Sequence, residues 1–369
     1  MRYAQYLSLT LIMLILLACG GGGSSELTNN PVPQPVPDPA NQITFSDPVL
    51  SNVVINKLRF SGATKLGASN SGIYKLVNDQ WTLQSSNAWM VFDVAIVSAS
   101  HFVASIQINN TFQLAQSTDA GNTWEFITHD FGGPTVTPGL SNEKVQAIVY
   151  EPQTGILYAS GYSVLASSND EGRTWQKLSG TWQGLARGAA ALTVNSANQS
   201  VWFGGQGAIE NPILQEYSSA SNTTQSHNDA VSALLPIPST IEGIVIHPDS
   251  SDVVFAAGEG GIIKTENNGE TWTGVLLDNG YRFYYSLIID PSNTSTMYTA
   301  GWSKDISTTQ PLVLELTNDG GQTWEAFTHP DSTLFGGVRS MQSEVNENDE
   351  FALYFALQNG GIVQVSITD

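Results

Sequence analysis

The amino-acid sequence predicts an all-β fold, a ring of seven four-stranded blades. Three observations carry that prediction. An octapeptide recurs four times, as STDAGNTW at 117–124, SNDEGRTW at 168–175, TENNGETW at 265–272 and TNDGGQTW at 317–324. A phrase of strand, proline turn, strand and glycine recurs as AIVYEPQTGILYASG (147–161), GIVIHPDSSDVVFAAG (243–258) and SLIIDPSNTSTMYTAG (286–301). Charged residues are only 12% of the chain, glycines number 34, and no long amphipathic helical pattern appears. The third-position residues of the octapeptides, Asp119, Asp170, Asn267 and Asp319, stand 51, 97 and 52 residues apart. A unit of about 50 residues therefore repeats, with one octapeptide missing from the middle. Repeats of that length are stacked units that cannot bury their apolar faces alone.

Residues 1–18 are read as an export signal outside the fold. Arg2 is their only basic residue, and Leu7–Leu17 is an apolar run too short to span a membrane as a mature helix. The run ends in Leu16-Leu17-Ala18-Cys19, which resembles a bacterial lipobox with Cys19 as the lipidated residue. Cys19 is also the sole cysteine, so no intramolecular disulfide can form. Gly20 after it resembles the outer-membrane sorting choice of Gram-negative lipoproteins. Residues 19–42 then form a tether, a Gly/Ser run followed by proline at every second position from Pro31 to Pro39. The membrane is thus expected to be met through the lipid anchor only.

Residues 43–369 are read as one propeller. Residues 54–86 make a first blade with a shortened turn, and 90–106 open the second. In a complete blade the proline phrase supplies the first two strands and the octapeptide the turn between third and fourth. ALTVNSANQSVWFGG (191–205) opens a degenerate fourth blade, in which SSASNTT (218–224) replaces the octapeptide. FALYFALQNGGIVQVSITD (351–369) supplies only the second and third strands of the last blade. Ile43-Thr44-Phe45 is therefore expected to complete that blade and close the ring, removing an exposed edge.

Within each octapeptide the Asp or Asn accepts hydrogen bonds from the backbone a few residues on. The fifth-position glycine supplies a positive φ, and the tryptophan fills space between blades. This makes Asp119, Asp170 and Asp319, like Asn267, structural rather than catalytic or metal-binding.

The pattern Ser/Thr-x-Asp-x-Gly-x-Thr-Trp resembles the Asp box, or BNR repeat, of the sialidase, sortilin and xyloglucanase-like propellers. With the proline phrase it is most similar to bacterial BNR and sortilin-like proteins, including the photosystem II assembly-factor-like group. These are scaffold motifs, and a fold does not fix a function. The resemblance implies that xyloglucanase-like enzymes are about twice this size, with a cleft between two propellers. It also implies three arginines and an Arg-Ile-Pro signature in sialidases; Leu58-Arg59-Phe60-Ser61 lacks the Ile-Pro.

No HExxH, GxSxG or phosphate-loop pattern occurs, and the five histidines are scattered, so no metal or cofactor is expected. The net charge of −20 argues against nucleic acid and against docking on anionic lipid. Ligand contacts are expected on the face carrying the long second-to-third-strand loops, 204–212 and 301–311, and the connectors 128–143 and 225–240. Tyr281 and Trp302 fall on or beside these segments, as do Trp182 and Trp89. Arg187, Arg282 and Arg339 precede their blades' second-strand aromatics by 15, 16 and 16 residues. That shared offset predicts one anion-recognising cluster at the channel mouth.

Two functional expectations follow. The first is a non-catalytic envelope lipoprotein, outer-membrane and Gram-negative, that binds a protein, peptide or other ligand, a glycan included, on its loop face. The alternative is a glycan-active or glycan-binding protein of the sialidase-like or another glycoside hydrolase kind. The missing signatures lean against an enzyme; if the chain is one, a glycoside hydrolase is expected.

Overall fold

The computed structural model describes residues 42–129, 131, 144–162, 164–180, 188–304, 309–346 and 350–368. The export signal, Cys19 and most of the tether lie outside them. The described strands form seven four-stranded antiparallel sheets in ring order. The innermost strands are Ile55–Ser61, Met90–Ile96, Ala147–Glu151, Gly188–Asn195, Ile241–His247, Arg282–Ile289 and Val338–Val345. Six blades run inward to outward in simple sequence order. In the seventh the outermost strand is Gln42–Phe45, paired antiparallel with Ile362–Thr368 from Gln42↔Thr368 to Phe45↔Val365. The ring is closed as the sequence predicts. Ile43 and Phe45 pack on the core between blades six and seven. Phe45 also meets the His329 ring edge-on at 5.3 Å.

Seven hydrophobic clusters hold the ring, each lying between two neighbouring blades. This follows from the strand pattern. Both faces of a blade are covered, so inner strands read as nearly continuous apolar runs, as in Phe102–Ile108 and Phe351–Leu357. The octapeptide tryptophans fill the seams. Trp124 packs on Trp89 at 5.8 Å and donates Nε1–H to Gln84 O of the preceding blade. Trp324 likewise reaches back to Val275 O at 3.2 Å.

Each octapeptide turn satisfies its own acid. Asp119 accepts Thr123 N (2.8 Å), Thr123 Oγ1 (2.6 Å) and Ser117 Oγ (2.9 Å). Asp170 and Asp319 repeat the set, and Asn267 keeps most of it. Hydrogen bonds from the Thr323 side chain and backbone, then Thr317, hold the Asp319 carboxyl far below the usual range. Gly269 shows why the fifth position must be glycine. Its φ is +90°, and a Cβ there would stand 2.4 Å from the His227 ring. That ring stacks on Trp202 at 5.0 Å, where the fourth blade has no octapeptide tryptophan of its own.

Candidate functional site

The channel is where the inner strands depart from regularity. In six of the seven blades the pairing of first and second strands shifts near the start of the first strand. The residues skipped are Asn56, Phe92, Ala190, Glu242, Tyr285 with Ser286, and Arg339. A bulge adds a residue and re-aims its side chain. Glu242, Tyr285 and Arg339 accordingly line a channel cavity of about 870 Å³. The cavity runs from these bulges to the proline turns around Pro248 and Pro291, along the inner strands of blades one, four, five, six and seven.

Cations gather at its bulged end. Lys57 and Arg59 line it beside Arg339. Arg59 is neutralised by Asp93, through Nε to Oδ1 at 2.8 Å and Nη2 to Oδ2 at 2.6 Å. Asp93 is fully buried and also accepts Val94 N and Ile148 N. With four hydrogen bonds stitching blades one, two and three together, it is a structural acid. Burial, then the Arg59 charge, lowers the Lys57 ammonium pKa, while Asp93 and Glu242 oppose the shift. Lys144, in blade three, stands 4.0 Å over the Phe92 ring. Burial, with Arg339 three blades away adding to it, pulls Lys144 down to about 8.

A second polar group sits at the seam of blades five and six, on the long-loop face. Arg282 and Tyr284 lie on one side of their strand, and Gly301 opposite leaves room for the Arg282 side chain. A Cβ at Gly301 would meet Arg282 Nε at 3.2 Å. Both side chains reach Glu315 on the third strand, Val313–Thr317. Tyr284 OH is 3.4 Å from Oε1 and Arg282 Nη2 is 3.8 Å from Oε2. Burial raises the Glu315 pKa and outweighs the pull of Arg282. Nearby, Lys304 Nζ lies 3.3 Å from Oε1 of fully buried Glu259, which also accepts Ser239 Oγ. Trp302 stacks on Phe283 at 5.0 Å, and Tyr281, half exposed, takes a positive φ of 58°.

The structure thus brings Tyr281, Arg282 and Trp302 together on blade six and places Arg339 in the channel. Arg187 and Trp182 lie outside the described residues, as do 130 and 132–143 of the first connector. Trp89 is buried in a seam. Arg282 and Arg339 do not share a register, because the turn between first and second strands varies in length. Met341 pairs with Phe355, fourteen residues on, whereas Ile288 pairs with Tyr298, ten residues on. Counting back equally from the aromatic therefore reaches different depths in the two blades. Lys57, Lys144, Glu315 and Tyr284 belong to no motif. Only their approach in space marks them.

No protein-family model matches the chain, and no curated protein matches it. Solved structures do. A GH74 enzyme of Niastella koreensis superposes with a TM-score of 0.64 at 16% identity, over 87% of this chain and 53% of that one. The GH74 xyloglucanase of Xanthomonas campestris gives 0.59 at 12%, over 86% and 54%. A chain of the mitotic checkpoint complex gives 0.59 at 13%, over 89% and 95%. This chain spans about half the length of the two GH74 chains. At these identities the likeness shows the fold alone. The expectation of a non-catalytic lipoprotein that binds a protein, peptide or other ligand is therefore not carried forward: two of these neighbours are GH74 enzymes, one of them a xyloglucanase, and the glycan-directed alternative is taken up as a proposal.

Proposed function

We propose that the protein is a glycan-directed propeller, holding a saccharide on the long-loop face at the seam of blades five and six. The observation that carries this reading is Glu315. Its carboxyl is held toward the neutral form by burial, beside a tyrosine hydroxyl and an arginine fork. The neutral form of a carboxyl is the one that donates a proton to a leaving glycosidic oxygen. Exposed Tyr281 and half-buried Trp302 supply aromatic surface of the kind that stacks on sugar rings. Glu259 is fully buried and takes no part as a nucleophile; with Lys304 it braces the seam.

The test combines a panel of fluorogenic glycosides with glycan-array binding, using the full chain. Hydrolysis of a panel member, reduced about 100-fold or more in Glu315→Gln, identifies a glycosidase with Glu315 as its acid. Glycan binding without turnover, lost in Trp302→Ala, identifies a glycan-binding protein. Neither binding nor hydrolysis by the wild type rejects the reading.

A further inference from the structure

We propose that the bulged end of the channel is a binding site for the anionic group of a small hydroxylated molecule, held by Arg339, Lys57 and Lys144. The inference does not depend on the reading of the blade five–six seam. It starts from charge. The chain carries 13 lysines and arginines against 33 acids, and on average each cation has acids to spare. Lys65, Lys264, Arg282 and Lys304 each pair with a carboxylate on their blade or the next. At the channel mouth the opposite holds. Arg339, Lys57 and Lys144 form no ion pair with any described residue.

Among the described residues the local balance is net positive. Arg59 and Asp93 cancel, fork to carboxylate. Glu242, held by Thr240 Oγ1 at 3.1 Å, sets one negative charge against the remaining three cations. Lys144 and Arg339 stand on blades three and seven of the ring. Lys57 on blade one feels both Arg339 and Glu242 of blade five. Lys57 and Arg339 line the cavity together, and Lys144 stands over the ring of Phe92, the bulged residue of blade two, so all three cations sit at the bulged end.

Two features of the site fit a ligand. Arg339 Nε is buried and makes no hydrogen bond, an orphaned donor of a kind folded proteins rarely leave. A planar fork with Nε available suits an oxyanion bound through two parallel bonds. The cavity below it, about 870 Å³, is in the range that takes a drug-sized molecule. Its walls include Thr193, Gln342 and Ser343, which match hydroxyl groups rather than an apolar body. An anion would also relieve the cationic repulsion that adds to burial in lowering the two lysine pKa values. The carboxylate of a uronic acid and the phosphate of a sugar phosphate share this chemistry.

Isothermal titration of the full chain at pH 7 with sodium glucuronate, glucose 6-phosphate and glucose tests the site. One or both anions should bind at least ten times more tightly than glucose. Glucuronate alone identifies a carboxylate site, glucose 6-phosphate alone a phosphate site, and both together a site that reads charge. Arg339→Gln should weaken the bound anion about tenfold or more. Lys144→Met should weaken it several-fold, and it serves as the second variant because it removes a charge that the fold opposes. Thermal melts confirm that each variant is folded. If neither anion binds better than glucose, or if both variants bind as the wild type does, the proposal is overturned.

Discussion

Lys144 concentrates the site's electrostatics in one residue. Its ammonium is pulled down to about 8 by burial and by Arg339. Between about 8 and its unfolded value of 10.5 the folded chain therefore binds fewer protons than the unfolded chain. Stability attributable to this lysine rises with pH across that window, and the cost of charging it is fully present below. Lys144→Met should accordingly be more stable than the wild type at pH 7, on the order of 1–2 kcal/mol after allowing for its partial exposure. The advantage should shrink as pH climbs from 8 toward 10. Urea unfolding of both proteins across that range is the check, and a difference independent of pH contradicts it. Saturating anion should reduce the advantage at pH 7 as well.

At the scale of the element, the octapeptide turn is a self-contained device. Asp170 gathers the backbone and hydroxyl of Thr174 and the hydroxyl of Ser168. Asp170→Ala leaves those donors to water or to nothing, at about 1–2 kcal/mol for a half-buried group. It should lower Tm by about 2–4 °C and leave binding on the opposite face unchanged. A variant that melts normally but binds nothing would place function on the turn face instead. This locality is why the fold was legible in the sequence. A turn that satisfies itself needs the same residues in the same order in every blade, so Asp119, Asp170, Asn267 and Asp319 announce the period. The channel obeys no such rule. Lys57, Lys144 and Arg339 come from three different blades, and only Arg339 stands on a bulge, so no short pattern encodes their grouping. The varying turn after the first strand hid the true register of Arg282 and Arg339. Glu315 was equally silent, since its character depends on Gly301 leaving room on the neighbouring strand.

For the molecule as a whole, the ring depends on one four-residue strand. Ser46 N donates to Gln364 O, so the alternating ladder places Thr44 N on Ser366 O. Thr44→Pro removes that donor and opens the outer edge of blade seven. The expected outcome is a lower Tm together with concentration-dependent association in sedimentation velocity. A monomer with an unchanged melt would show that closure contributes little. The inner strands of blade seven carry Arg339, so the same variant should also loosen the channel site.

The closing strand also sets a timetable for synthesis. Gln42–Phe45 is among the earliest of the described residues to be made, and its partner Ile362–Thr368 is among the last, some 320 residues later. At about 5–20 residues per second, the first strand waits roughly 15–65 s for the second to exist. Six blades can form in turn as they emerge, each resting on its predecessor. The seventh cannot, and until the final segment is released the growing chain is an open arc. A chain cut short between the sixth blade and Ile362–Thr368 leaves that arc permanently open, which makes this strand the quality check on all the others.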